Sequence, residues 1–139
     1  MSTLAKAVEA LASQFSGRLL LPDHPDFDAA RRLHNVAIDR APGVIAQCRG
    51  AADVVDAIAL ARTEGQELSV RGGGHNVAGQ ATLDRGVMID LSWMRGVRVD
   101  ARARTAIVDG GVTWREFNRD TQLAGLAATG GVISSTGVA

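Results

Sequence analysis

Apolar residues recur near the N-terminus at helical spacing: Leu4, Val8, Leu11 and Phe15 share one side of a helix that Ser2 or Thr3 can cap and Gly17 can stop. Leu19, Leu20 and Leu21 then make a short extended piece ending at Pro22. A second helix is predicted from Pro25 or Asp26, with Asp26 and Asp28 early and Arg31 and Arg32 late, as the helix dipole favours, and with Phe27, Ala30 and Leu33 on its inner side. After Pro42 the pattern predicts a strand over Val44 to Cys48 and a helix over Ala51 to Glu64, its inner side lined by Val54, Ile58 and Ala61 and its end followed by Gly65. Leu68 and Val70 mark the next strand, so strand, helix and strand form a βαβ-like unit. Val87, Ile89 and Leu91 alternate as a half-buried strand. Val97 and Val99 begin another, Asp100 to Arg104 turns, and Thr105 to Val108 returns with Ile107 apolar. Thr113 can cap a last helix carrying Trp114, Phe117 and Gln122 and ending near Gly125, and Thr129 to Ala139 is a glycine- and hydroxyl-rich loop. No internal repeat or low-complexity tract divides the chain.

Composition narrows the class. The 139 residues suit one domain, and 15 basic against 15 acidic side chains leave no field to attract nucleic acid or an anionic membrane. The single cysteine, Cys48, excludes an internal disulfide and suits a reducing compartment. Lys6, Glu9 and Gln14 interrupt the N-terminal apolar residues, so no signal peptide is expected there, and no run reaches membrane-spanning length. A cytoplasmic protein is the expectation.

The chemistry concentrates after the strand at Leu68, in Arg71-Gly72-Gly73-Gly74-His75-Asn76-Val77-Ala78-Gly79. Three successive glycines bring no side chain to a core and cost backbone entropy, so their use is geometric. They read either as a sharp structural turn or as a tight loop whose amides point one way, an arrangement that binds anions such as a diphosphate. A dinucleotide fingerprint is excluded because Val77 stands where its third glycine belongs. A mononucleotide P-loop is excluded because Gln80 and Ala81 replace its Lys and hydroxyl residue. His75 follows the glycines, where a neutral imidazole can act as a nucleophile toward a bound nucleotide cofactor.

Other polar residues carry less. Arg71 reads equally as a solvated strand end or as a pyrophosphate partner. The Asn76 amide can lock the loop or donate to a cofactor. His24 and His34 have no metal-ligand spacing, form no recognisable site with Cys48, and read as structural. Cys48 reads as a small buried hydrophobe, and Trp114 with Phe117 as core. Asp90 and Asp109 sit at strand ends with nothing to pair them as general acid and base. The loop Gly130 to Gly137 reads either as a plain hydroxyl-rich turn or as a second ligand loop offering Ser134, Ser135 and Thr136.

The run Val70 to Gly79, the segment Gly86 to Ser92, Gly110-Gly111 before Trp114, and Thr129 to Ala139 together resemble, in the same order, the FAD-linked oxidoreductases related to berberine bridge enzyme and vanillyl-alcohol oxidase. The resemblance covers nearly the whole chain and is most secure from Pro42 onward. It implies an α+β, PCMH-type FAD-binding fold with two small β-sheets and packed helices. A helical segment at 1–36 precedes an FAD-binding domain at 37–139 that is incomplete at its C-terminus, before the substrate domain. It implies FAD contacts from Arg71, Gly72, Gly73, Gly74, His75, Asn76, Gly79, Gly130, Gly131, Ser135, Thr136 and Gly137, and a covalent bond from His75 to the flavin 8α-methyl. Family members that attach the flavin twice carry a cysteine at about the position of Ile133, so attachment is expected through His75 alone. The implied reaction takes a hydride from a small organic substrate (a sugar, alcohol or alkaloid-like compound) and passes electrons to oxygen. The catalytic base and the substrate contacts belong to the domain beyond this chain, and no residue here is nominated for them. No metal, nucleic acid or membrane is implied, and a face that the next domain would cover is expected to promote association.

Two alternatives stay open. One is a non-catalytic, truncated flavin-binding module. The other is a non-covalent flavin reductase related to UDP-N-acetylenolpyruvylglucosamine reductase, which His75 disfavours because such an enzyme needs no nucleophile there.

Overall fold

The computed structural model describes residues 2–139. In chain order its elements are α1 (Thr3–Ala12), β1 (Arg18–Leu20), α2 (Phe27–Arg31), β2 (Val44–Gln47), α3 (Ala51–Thr63), β3 (Leu68–Arg71), β4 (Val87–Asp90), β5 (Val97–Asp100), β6 (Thr105–Val108) and α4 (Trp114–Gln122). Local signals set most boundaries. The Ser2 hydroxyl accepts the Ala5 amide at 3.1 Å and starts α1. The end of α1 comes earlier than Gly17, because the Gln14 and Phe15 amides both turn back to the Leu11 carbonyl and free Ser16 to donate to Asp53. Gly65, at φ 61°, closes α3 with a Schellman turn in which the Gln66 amide reaches the Ala61 carbonyl at 2.8 Å. Thr113 and Glu116 form a reciprocal capping box on α4.

Among the described residues two small sheets are present: one of four strands in the order β1-β2-β4-β3, and the β5–β6 hairpin. In the larger sheet β2, β4 and β3 run parallel and β1 is antiparallel to β2. The predicted βαβ unit is thus opened in the middle, with β4 inserted between β2 and β3. The side chains explain it. Val87, Met88, Ile89 and Asp90 are buried on both faces, so β4 is a central strand rather than the half-buried one its alternation suggests. β3 alternates the other way from the expected pattern: Ser69 is buried while Leu68 and Val70 are largely exposed, which only an edge strand tolerates.

Each face of the sheet has its own cover. Val44, Ala46, Cys48, Val87 and Ile89 pack under α1 and α3, while Leu20, Ile45 and Met88 pack under Phe27 of α2. Burying side chains of this size stabilises by roughly 1.5–3 kcal/mol each. Of the inner side expected for α3, Ala61 is buried and Val54 packs half-buried on the core, but Ile58 is exposed and Asp53, Ala57 and Leu60 are buried instead, a modest rotation. Alanines allow close approach to the sheet, and the Asp53 carboxylate holds the rotation by accepting the Ser16 amide at 2.9 Å and the Arg49 amide at 2.8 Å. Cys48 lies in the same core; burial first, then the Asp53 and Asp90 carboxylates, push its thiol up to about 12, so it is no nucleophile. The N-terminal segment is part of this architecture, since α1 and β1 pack on the same sheet as α3.

Candidate functional site

Parallel strands β2, β4 and β3 end at one side of the sheet, the place where open α/β sheets bind ligands. A polar row crosses that end at a single register level: Arg18, Gln47, Asp90 and Arg71. Gln47 accepts from Arg18 Nε and Nη2 at 3.0 and 2.7 Å and donates to Asp90 Oδ2 at 3.1 Å, while Asp90 Oδ1 accepts the Ser92 amide at 3.0 Å. Asp90 is therefore a sheet-end brace. Arg71 turns beneath the loop it precedes. Its Nη1 donates to the Ala30 carbonyl in the last turn of α2, and its guanidinium lies under Gly74.

The loop after β3 is shaped by different demands at each glycine. Gly74 has φ 73°, a left-handed conformation that glycine adopts without strain. Gly72 and Gly73 instead let other backbone approach. A Cβ on Gly72 would lie 2.8 Å from the Gly110 carbonyl oxygen and 3.0 Å from that of Ala139, and one on Gly73 would lie 2.3 Å from the Gly137 amide nitrogen. The glycines thus bring two loops together, a use that spacing alone does not reveal. Among the described residues, the amides of Gly72 to Asn76 donate to no protein acceptor, so the loop presents consecutive unpaired N–H groups. Asn76 locks the turn: its carbonyl accepts the Gly79 amide and its Oδ1 the Gln80 amide, both at 3.1 Å. Gly79, buried and at φ 71°, packs against Ile38.

The second loop is anchored to α4. Trp114 N–H donates to the Thr136 carbonyl at 3.0 Å, Arg115 N–H to Ser134 at 2.9 Å, and Val138 N–H to Val112 at 2.9 Å. Gly130 and Gly131 lie against the Trp114 indole, which meets Phe117 edge-on at 5.4 Å. Trp114, read from sequence as core, is half-buried and serves as the platform for this loop.

Between the loops lies a cleft of about 530 Å³. Gly72, Gly73, Gly74, His75 and Asn76 line one side and Thr136, Gly137 and Ala139 the other, over Val70 and Leu91. Of the residues singled out from sequence, Arg71 and Gly79 support the first loop from behind, and Gly130, Gly131 and Ser135 lie on the arm of the second loop outside the cleft wall. His34, read from sequence as merely structural, stacks on His75 with ring centroids 4.3 Å apart and planes 21° from parallel. No spacing signal marks that contact.

The cleft suits a nucleotide diphosphate. It combines unpaired backbone amides, walls without side chains where a Cβ would obstruct, and a half-exposed imidazole at its edge. Among the described residues no group of three or more His, Cys, Asp or Glu side chains could hold a metal ion, and no helix is long and apolar enough to cross a membrane.

Comparison with known proteins agrees with this geometry. The profile of the FAD binding domain family matches residues 42–139. The chain is 35% identical over 121 residues to the (R)-6-hydroxynicotine oxidase of Paenarthrobacter nicotinovorans, covering 87% of this chain and 26% of that protein. It superposes with a TM-score of 0.86 on the crystal structure of 6-hydroxy-D-nicotine oxidase from Arthrobacter nicotinovorans, at 34% identity over 90% of this chain and 28% of that one. BBE-like 1 of Physcomitrella patens shares the fold, with a TM-score of 0.86 at 22% identity over 99% of this chain and 30% of that one. The chain spans about a quarter of the length of such relatives.

Proposed function

Because the chain belongs to the FAD binding domain family, we propose that it is the flavin-holding part of an FAD-linked oxidoreductase of the berberine bridge enzyme-like type, with the cofactor bonded covalently to His75. The single observation that carries the attachment is the place of His75: a half-exposed imidazole in the wall of a cleft whose neighbouring amides are unpaired. Gly72, Gly73, Gly74 and Asn76 on one side and Thr136 and Gly137 on the other are the proposed cradle. Gly130, Gly131 and the Ser135 hydroxyl are further proposed contacts to diphosphate and ribose. Arg71 and Gly79 set the loop's shape from behind, and the Arg71 guanidinium places positive charge beneath it. We assign this cradle to residues 37–139, with residues 1–36 bracing it.

Forming the link joins an imidazole nitrogen to the flavin 8α carbon. Such a link would release one proton from the ring N–H and one from the methyl group, with oxygen as the final acceptor of the two electrons. Attachment is proposed through His75 alone, because the chain's one cysteine is buried in the sheet and Ile133 occupies the second loop. When bound, the flavin supplies hydride acceptance from a small organic substrate (a sugar, alcohol or alkaloid-like amine) and electron transfer to oxygen. The chain's own part is to hold, orient and tether it. A cytoplasmic location belongs to the same proposal and rests on the lone, buried cysteine.

The test is an intact-mass and visible spectrum of purified protein before and after acid denaturation, for wild type and His75→Ala. Yellow colour and an FAD-sized mass increase that survive acid in the wild type, and are lost in His75→Ala, are the expected result. Flavin released by acid from the wild type would refute attachment and favour the non-covalent reductase. Absence of flavin would refute the cofactor assignment for this chain.

A further inference from the structure

His34 lies far from His75 in sequence, yet it meets its ring face to face. The contact belongs to a strap, residues 34–40, that follows the glycine loop from His75 to Thr82. The His34 amide donates to the Gly74 carbonyl at 3.1 Å, and Asn35 Nδ2 to the Val77 carbonyl at 3.0 Å. Ile38 fills the space against Gly79, and Arg40 Nη1 donates to the carbonyls of Gly79 and Thr82 at 3.0 and 3.1 Å. These contacts fix the loop backbone without involving the His34 side chain. The ring is exposed and adds little to the core, so its stacking on His75 is left without a packing purpose.

Stacking differs from hydrogen bonding in what it leaves free. A hydrogen-bond partner would occupy one of the His75 ring nitrogens. A ring lying 4.3 Å away and within 21° of parallel constrains the plane of His75 while both nitrogens, which lie in that plane, stay available at the edge. For a nucleophile that must meet one carbon atom, a fixed plane and a free edge are what the reaction needs.

We propose that His34 is the positioning residue for flavin attachment, its imidazole holding the His75 ring in the plane from which a nitrogen reaches the flavin methyl carbon. The role rests on the covalent reading above, with the same balance: one N–C bond formed, two protons released, and an electron pair taken finally by oxygen. His34 touches His75 and is assigned no contact with the cofactor.

The experiment compares wild type, His34→Ala, His34→Phe and His75→Ala in two measurements. In the first, flavin-free protein is mixed with FAD in air, and total flavin and acid-stable flavin are followed separately with time. His34→Ala is expected to slow the acid-stable fraction by roughly tenfold to a hundredfold, the scale on which small misplacements slow a reaction, while total binding changes by about twofold or less. His34→Phe, which keeps a flat ring but no ring nitrogen, is expected to recover most of the rate. In the second, NMR of the flavin-free protein is expected to show ring-to-ring contacts and upfield-shifted His75 ring protons in wild type and His34→Phe, absent in His34→Ala. An unchanged attachment rate in His34→Ala, a His34→Phe protein as slow as His34→Ala, or no ring contact in the flavin-free wild type would each overturn the role. Acid release of all flavin from the wild type overturns the attachment itself and this role with it. Acid-stable wild-type flavin with an unaffected His34→Ala rate overturns the role alone.

Discussion

The two loops of the cleft meet backbone to backbone at Gly73 and Gly137, and Gly73→Ala tests whether that contact builds the site. A Cβ there would lie 2.3 Å from the Gly137 nitrogen and 2.6 Å from its Cα, where ordinary contact begins near 3.4 Å. The loops must therefore part by about 1 Å, a shift of the kind that costs overpacked interiors roughly 1–3 kcal/mol. Neither side can yield by a rotamer change, because the obstructing atoms are backbone. The second loop is also pinned by the Trp114 amide on Thr136 and the Val138 amide on Val112. At 1.4 kcal/mol per decade, the same strain carried into ligand binding weakens FAD affinity roughly fivefold to a hundredfold. The assay pairs a thermal melt with FAD titration by flavin fluorescence. Gly50→Ala is the control, because a Cβ there meets nothing within 4 Å; at a helix N-cap it should cost about 1 kcal/mol or less and leave FAD affinity unchanged. A Gly73→Ala protein that melts and binds FAD like wild type would refute the claim that the glycine pair sets the cleft.

Two further outcomes follow from the braces around the site. Asp53→Ala strips the acceptor from the Ser16 and Arg49 amides and should destabilise by about 2–4 kcal/mol in chemical denaturation; an effect below that would mean the turn after α1 and the start of α3 re-pair easily. The Glu116 carboxyl is held below its ordinary 4.5 first by the Thr113 amide; desolvation opposes this, and the Thr113 hydroxyl and Arg95 add to the lowering. A carboxyl depressed on folding binds its proton more tightly when unfolded, so its contribution is present above pH 4.5 and fades as pH falls through the lower folded value. Glu116→Gln should flatten the loss of melting temperature as pH falls below 4.5 relative to wild type, and a parallel pair of pH profiles would contradict that linkage.

Features that depend on neighbours along the chain were legible before any fold was known. Ser2, Gly65 and the Thr113–Glu116 pair are local caps, and each acts where its position says it should. The run Gly72 to His75 marked a loop built from backbone rather than side chains, because three glycines in a row bring nothing to a core, while the close approach that Gly72 and Gly73 allow to the second loop was not legible there. The same run, with three others in order, placed the chain in its family.

Features that depend on which surfaces meet emerged only with the folded chain. The insertion of β4 between β2 and β3 is set by its apolar side chains on both faces, a comparison among strands that no single strand's alternation contains. The rotation of α3 follows from Asp53 finding two amides on separate turns, although apolar spacing favoured Ile58. Arg71, balanced between two readings in the sequence, turned under Gly74 because the last turn of α2 offers it the Ala30 carbonyl. His34 and His75, and likewise Gly73 and Gly137, are brought together only by the strap and loops that fold around the sheet end. Their pairing leaves no periodic trace in the chain: a ring stack and a backbone contact require the right distance and orientation in space, while sequence spacing constrains these only within one helix or strand.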